Sequence, residues 1–513
     1  MTANDLITAP AVVVGGGIAG LATALSLDGC VLVADGAIGE GSSRLAQGGI
    51  AAAIGRDDSP SLHAADTLRV GAGLSDAAVA ALVAQAAAGR VDWLDGLGVA
   101  FDRDAGGRLT LGREAGHTRN RIVHAGGDRT GAAVMRALRA AVLTRPDIRV
   151  FEGLELVDLV IDGPRAAGVL LERPDGARIV VVAPQVILAT GGIGACFDHS
   201  TNPATSRGAG LAAAARQGVR LADLEFIQFH PTALAAGSER LPLLTEALRG
   251  AGAVLVDEAG NRFMPAIHAD AELAPRDVVA RSVAARRLAG KAVFLDVSQV
   301  AALEEHFPGT CAIARDAGID PGTTVLPVTA AAHFHMGGIA TDERGATSMA
   351  GLWACGEVAA TGLHGGNRLA SNSLLEGLVF GERIAAAIRA TPLPAPKGSL
   401  SIPRRGAFEP GDAARTGALR KLVGESLGPL RQGPVLTSAL SLLDSWQPVS
   451  RAEDDAAALA RLLLASALER RESRGAHYRT DHPQAGAGAA VRSFVQPRPA
   501  PAAPLVRAHI RVA

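Results

Sequence analysis

The stretch that most constrains this chain runs from Ala11 through Val-Val-Val-Gly15-Gly16-Gly17-Ile18-Ala19-Gly20 and on to Val31-Leu-Val-Ala-Asp35. An apolar run meets a glycine turn, a helical pattern follows, and a second apolar run ends in an acid. That order predicts a βαβ unit with its glycines where the first strand hands over to the helix. Gly15 permits the tight turn, Gly17 lets backbone approach a pyrophosphate, and Gly20 lets helix and strand pack closely. The helix N-terminus offers N–H groups and a partial positive charge to phosphates. Asp35, twenty residues after Gly15, is placed to bond a ribose hydroxyl. A dinucleotide is expected; the stretch does not say which.

A length of 513 residues allows on the order of two to four domains. A net charge of −1 creates no field that would draw nucleic acid or an acidic membrane. Cys30, Cys196, Cys311 and Cys355 are far apart and lack C-x-x-C or metal-ligand spacing. They exclude a disulfide scaffold and a cysteine-held iron–sulfur cluster, and they fit a reducing compartment. The N-terminus lacks a basic region and cleavage site, and glycines or charges break the longest apolar stretches. No transmembrane helix is expected, and the cytoplasm is the expected location.

In chain order, the small and polar Ser42-Ser43-Arg44-Leu45-Ala46-Gln47-Gly48-Gly49 suits a loop wrapped around a ligand. Residues 61–97 read as helical. The polar segment 111–124 is either a solvated loop or a wall of the substrate site. A helix is expected over 130–143, and strands over 150–182 with turns at Gly163 and Gly176. Val186 to Gly192 is another apolar strand ending in small residues. Between Asp223 and His333 the α/β rhythm weakens, which predicts an inserted domain covering the cofactor. The chain then returns at Gly351 to Glu357, and Ser371, Asn372 or Ser373 can cap the next helix. A Pro-rich linker from Thr391 precedes a helical bundle over 413–474, and the tail from Pro497 is expected to be poorly ordered. The expected fold is α/β, with a discontinuous Rossmann-like cofactor domain, an inserted α+β cap and a C-terminal helical bundle. Its bounds are 1–223 and 335–395, 224–334, and 396–513.

The polar segments supply His230, Thr245, Glu246, Arg276, His333 and Arg368, with Arg113, Glu114 and His117 as further candidates. Two arginines and two histidines suit a small dianion, because guanidinium forks grip carboxylates bidentately. A metal is the sharpest rival: His333-Phe-His335 sets two imidazoles on one strand face, and His230 could complete a set of three. Neighbouring arginines repel a dication, so no metal is assigned. No G-x-S-x-G elbow supports a hydrolase, and Cys355 reads as packing.

Several of these segments resemble the succinate dehydrogenase/fumarate reductase flavoprotein superfamily. They are Ala46-Gln-Gly-Gly-Ile-Ala, His230-Pro-Thr, Thr245-Glu-Ala-Leu-Arg-Gly, Ala274-Pro-Arg-Asp, His333-Phe-His-Met-Gly-Gly and Ser371-Asn-Ser-Leu-Leu-Glu. Arg113-Glu-Ala-Gly-His117 with Arg121-Ile-Val-His-Ala, Thr361-Gly-Leu-His-Gly-Gly-Asn-Arg368 and Glu472-Ser-Arg-Gly-Ala-His-Tyr478 are similar to its L-aspartate-oxidising branch. The likeness spans about Pro10 to Pro483.

The resemblance implies FAD, held by Gly15 to Gly20, Asp35, Ser42 to Gly49, Glu357, Ser373 and Leu374. It implies carboxylate binding by His230, His333 and Arg368, and Arg276 beside the reacting carbons. It also implies Glu114 selecting an amino-bearing substrate, with Thr245 and Glu246 lining the site. Ser42 stands where covalent-FAD members carry a histidine, five residues before Gln47, so FAD is expected to be non-covalent. Ala209 stands where the family carries an acid that contacts the cofactor.

The activity so implied is oxidation of L-aspartate to iminoaspartate, an early step towards NAD. Dioxygen or fumarate would take the electrons, and quinolinate synthase would use the imine. A fumarate reductase or succinate dehydrogenase subunit is the alternative, and a flavin-binding scaffold without chemistry a third reading. Free guanidinium has a pKa above ~12, so Arg276 is expected to act first as an electrostatic and positioning group.

Overall fold

The computed structural model describes residues 6–236, 240–397, 400–401, 408 and 411–499. The opening stretch forms β1 (Val12–Val14), α1 (Ile18–Ser26) and β2 (Cys30–Val33). Both strands are fully buried, as strands of a sheet covered on two faces must be. Gly15 has φ +131°, and a Cβ there would sit 2.1 Å from the Ala189 carbonyl oxygen. A Cβ on Gly20 would lie 1.8 Å from the Gly15 carbonyl oxygen, so Gly20 lets α1 settle against the turn.

The region read as one helical pattern over 61–97 is two helices, α2 (Pro60–Val70) and α3 (Ala77–Gly96). The break falls at Gly71-Ala72-Gly73, where Ala72 and Gly73 both have positive φ. Asp76 then caps α3 by accepting from the N–H groups of Ala78 and Val79. By length and composition α3 is apolar enough to cross a membrane, a test that a buried core helix also passes. Its buried stripe of Val79, Val83, Ala87, Val91 and Leu94 lies in the core shared with α2, the pattern of a one-sided core helix.

Helix α4 (Thr130–Leu143) and β3 (Ile148–Phe151) follow where expected. An antiparallel meander of β4 (Glu155–Asp162), β5 (Arg165–Glu172) and β6 (Arg178–Val182) turns at Gly163 and Gly176. Next come β7 (Val186–Leu188), which pairs with β1, and α5 (Ala209–Arg216).

After the meander the chain builds a second antiparallel sheet from β8 (Ile227–Leu234), β9 (Val254–Val256), β10 (Phe294–Asp296) and β11 (Leu326–His335). Its strand order is β8-β11-β10-β9, all antiparallel, with α6 (Arg276–Leu288) packed on β8 and β11. After that excursion β12 (Leu352–Ala354) pairs with β7 and closes a five-stranded parallel sheet, β12-β7-β1-β2-β3. The parallel sheet is therefore made from two separated parts of the chain.

Helix α7 (Asn372–Ala390) lies against α1. The expected side-chain cap is not made: Ser371 takes a left-handed φ of 60° and its hydroxyl goes elsewhere. Helices α8 (Ala413–Leu427), α9 (Gly433–Asp444) and α10 (Arg451–Glu469) form the C-terminal helical region. Helix ends at Glu469 rather than Arg474, since 470–478 runs as a loop. The tail expected to be poorly ordered lies, from residue 500, outside the described residues.

Candidate active site

A cavity of about 630 Å³ opens between the glycine turn of the parallel sheet and the second antiparallel sheet. Gly15, Gly16, Gly17, Ile18, Ala19, Asp35, Ser42, Ser43, Leu45, Ala46, Gln47, Gly48 and Gly49 form part of its lining. Glu357, Ser373 and Leu374 contribute from the returning chain, and Glu114, His230, Thr245, Glu246, Arg276, His333 and Arg368 line it too. Two expected cofactor residues do not line it. Gly20 serves the packing of α1, and Arg44 pairs on the surface with Glu40 at 2.6 Å.

His230 lies on β8 and His333 on β11, their rings edge to face with centroids 5.3 Å apart. His333 reaches the cavity because Phe229 pairs with Ala332 and Gln228 with Phe334, leaving His333 as the extra residue of a β-bulge. The bulge also breaks the expected shared face: His335 contacts the Leu224 carbonyl at 3.1 Å and does not line the cavity. Burial and the surrounding arginines hold both His230 and His333 well below the usual histidine pKa. The Thr232 N–H donates to His230 Nδ1 at 3.3 Å, which leaves the ring proton on Nε2.

Arg276 is the first residue of α6, after Pro275. Its Nε donates to Glu246 Oε2 at 3.0 Å, a terminal amino group meets the same oxygen, and the other donates to Gln228 Oε1 at 2.8 Å. Burial alone would raise Glu246, but Arg276 and Arg249 outweigh it and bring the carboxyl to about 2. Arg249, fully buried, meets Glu246 Oε1 at 3.0 Å, so Arg276, Glu246 and Arg249 form one buried chain of charges. Arg368 donates to Gln228 Oε1 at 3.0 and 3.3 Å and to Ser373 Oγ at 3.1 Å, and stacks 4.6 Å over the Phe334 ring. Thr245 is buried, its hydroxyl bonded to the Ala247 N–H.

The 111–124 segment is a wall of the site, through one residue. Glu114 lines the cavity, and its Oε2 accepts from the Ser371 hydroxyl at 2.6 Å. Arg113 is exposed, and His117 is buried behind the wall, bonded to the Ala370 carbonyl and Arg121. Fully buried Arg121 anchors the segment by bonding Asp58 at 2.8 and 2.9 Å and Asp66 at 2.6 Å. The sequence gives Gln228 and Asn367 no role of their own, and Ser371 only that of a helix cap. Uncharged, they sit inside motifs whose charged members drew attention.

The cavity can be tested for a dinucleotide on its own atoms. Two buried polar atoms of the lining, Gln47 Oε1 and Thr190 Oγ1, have no partner among the described residues. Thr190 lies beside the turn at Gly15, and unpaired buried polar atoms of this kind call for a polar ligand. Ser42 presents a hydroxyl bonded to Asn202 at 3.1 Å, with no ring nitrogen to attach a flavin covalently. Ala209 lines the cavity with a methyl group and offers no acceptor.

The fold and this lining define a flavoprotein of the fumarate reductase type. Residues 11–374 match the FAD binding domain family and residues 452–493 the fumarate reductase flavoprotein C-terminal family. Among solved structures, a quinol fumarate reductase FrdA variant from Escherichia coli superposes with a TM-score of 0.85. It is 26% identical, covering 94% of this chain and 93% of that one. Mycobacterium smegmatis Sdh1 superposes at 0.81 with 30% identity over 96% and 94%. Within this class the chain belongs to the L-aspartate oxidase family. It is 46% identical to the L-aspartate oxidase of Agrobacterium fabrum over 488 residues, 94% of this chain and 92% of that protein. With that of Streptomyces coelicolor the identity is 42%, over 93% and 89%. The cofactor is FAD.

Proposed function

We propose that the chain oxidises L-aspartate to iminoaspartate, a step in NAD biosynthesis, with the cavity residues in the following roles. Arg368 grips a substrate carboxylate as a fork, and His230, neutral with its proton on Nε2, donates to the dianion. His333 shares that task from the bulge. Arg276, locked by Glu246 and Gln228, is an electrostatic and positioning group over the reacting carbons. Holding both carboxylates at fixed points removes the rotational freedom that most opposes reaction. FAD, which the glycine turn, the Ser42 to Gly49 loop, Glu357, Ser373 and Leu374 would hold, would supply the hydride acceptor, with dioxygen or fumarate as the final acceptor.

One observation carries the choice of an amino acid. The same cavity that presents Arg276 and Arg368 to carboxylates also presents the carboxylate of Glu114, which Ser371 holds through one oxygen and which, unlike Glu246, is in no ion pair with Arg276. A plain dicarboxylate has no use for it, whereas an ammonium, and the positive charge left on nitrogen after hydride loss, does. Glu114→Gln is expected to lower kcat/KM for aspartate about 10- to 100-fold while changing fumarate reduction less than about threefold. Steady-state kinetics with both substrates reads this directly; equal losses for both would remove Glu114 from the discrimination.

The dianion clamp serves a fumarate reductase or succinate dehydrogenase equally well, so the deciding experiment is anaerobic. Purified protein is mixed first with aspartate, then with succinate, and the flavin band is followed. Bleaching by aspartate alone supports the assignment; bleaching by succinate alone moves it to the alternative.

Residues 1–223 and 335–395 are assigned to the FAD-binding domain, 224–334 to a cap over the cofactor and 396–513 to a helical domain. With Ala209 in place of an acid, Asp35 is the carboxylate left for the adenosine half. Asp35→Ala is expected to weaken FAD retention about tenfold and to move the aspartate KM less than about threefold. Equilibrium dialysis against FAD, beside kinetics at saturating FAD, separates the two. The four cysteines are free and buried, which fits the cytoplasm.

A further inference from the structure

We propose that Gln228, Asn367 and Asp277 form a hydrogen-bond chain whose fixed polarity turns the neutral carbonyl of Gln228, and never its amide N–H, towards both Arg276 and Arg368. The proposal rests on the dicarboxylate reading of their cavity. Each arginine is adjacent in sequence to a member of the chain: Arg276 to Asp277 at the start of α6, and Arg368 to Asn367 in the loop before α7. Gln228, on β8, lies between them and is fully buried.

A side-chain amide has a donor end and an acceptor end that exchange when it turns over, so its orientation is set by its neighbours. Here both ends of the chain are chemically committed. Asp277 can only accept, and it is itself held by Arg281 at 2.7 Å. The guanidiniums can only donate. Asn367 Nδ2–H therefore donates to Asp277 Oδ1 at 3.0 Å, which turns Asn367 Oδ1 towards Gln228. Gln228 Nε2–H donates to that oxygen at 2.9 Å and to the Arg368 carbonyl at 3.0 Å. Gln228 Oε1 is left facing Arg276 at 2.8 Å and Arg368 at 3.0 and 3.3 Å. Turning over either amide would set donor against donor at one contact and acceptor against acceptor at another, with no solvent to relieve them.

The consequence is electrostatic. Ser373 and Gln228 are the side-chain hydrogen-bond partners of Arg368, and both are uncharged. They hold its fork in place without cancelling its charge, which remains for a substrate carboxylate. A glutamate at 228 would fit the same space and neutralise the clamp from behind. The chain also reaches outside the cavity. Asp277 does not line it, and its partner Arg281 is braced by the Tyr478 ring at 4.7 Å and the Gly475 carbonyl. The Gly475 to Tyr478 loop, following the C-terminal helices, thereby bears on the geometry of the clamp.

The test uses the full-length FAD-loaded protein, with succinate titrated anaerobically and the perturbation of the flavin spectrum as readout. Gln228→Glu is expected to weaken succinate binding at least about 30-fold, and Gln228→Met about 10-fold, with FAD still bound. Asp277→Asn removes the fixed acceptor from outside the cavity. It is expected to raise the aspartate KM about fivefold while kcat falls less than about twofold. A loss of Tm with unchanged succinate affinity in the Gln228 variants would mark a packing role and overturn the proposal, as would an unchanged KM in folded Asp277→Asn. The parent protein separates the two claims. If it binds succinate but is not bleached by aspartate, the aspartate assignment falls and the chain is still tested by its variants. If it binds no dicarboxylate at all, both are overturned.

Discussion

Replacing Arg276 with leucine is expected to lower kcat at least about a thousandfold and to leave FAD bound. The side chain is one-tenth exposed, and its charged end is fixed at three contacts, two on Glu246 and one on Gln228. Such a group costs no reorganisation when charge develops during reaction, which is why its removal falls on kcat rather than on KM. The cofactor residues on the glycine turn and the Ser42 to Gly49 loop touch none of these contacts, so flavin content is an internal control. Leucine also strips Glu246 of one of its two ion-pair partners, and the carboxyl moves up from about 2, since burial is then opposed only by Arg249 and the more distant Arg368. Breaking a buried ion pair from one side costs on the order of 3–5 kcal/mol, so Tm must be measured alongside. Arg276→Lys keeps the charge but not the fork, and is expected to recover only a minor fraction of turnover. Activity is read as aspartate-dependent hydrogen peroxide formation. A folded, flavin-loaded Arg276→Leu protein with the parent's kcat would remove Arg276 from the mechanism.

The parts of this molecule that were legible in the sequence are those where one residue type has one physical reason to be there. Gly15 and Gly20 are such positions, because a Cβ would collide with backbone. The charged site residues are another such set: arginines and histidines inside apolar, glycine-punctuated segments have few uses other than a ligand. Legibility failed where the decisive fact is a register or an orientation. His333 enters the cavity through a bulge that no periodicity announces, and the same bulge parts it from His335. Arg44 sits in a ligand-wrapping loop but turns to the surface, because one loop has two sides. Ser371 reads as a helix cap, yet Glu114, distant in sequence, takes its hydroxyl. The amides of Gln228 and Asn367 carry no charge and no periodic signal, so their part in aligning the arginines emerges only once their partners are known.

Arg368→Leu is expected to weaken dicarboxylate binding about 100- to 1000-fold, with a smaller loss of kcat at saturation. The guanidinium is buried, and its neutral partners leave its charge to the substrate. That arrangement has a measurable signature. Burial, together with the nearby charge of Arg276, brings the pKa of Arg368 down to about 9. At neutral pH the group is charged and binding is at full strength. As pH rises through about 9 the free protein loses that charge, and affinity for the dianion falls. A bound carboxylate stabilises the charged form, so the proton is retained to higher pH in the complex than in the free protein. Succinate is the right probe, because unlike aspartate it has no ammonium that titrates on the alkaline side. Its dissociation constant is expected to be flat near neutrality and to climb above about pH 9, while Arg368→Leu binds weakly and without that climb. Arg368→Lys should recover part of the affinity, since a point charge remains, but not the bidentate grip. If the alkaline climb persists unchanged in Arg368→Leu, the titrating group is another one and the clamp must be reassigned.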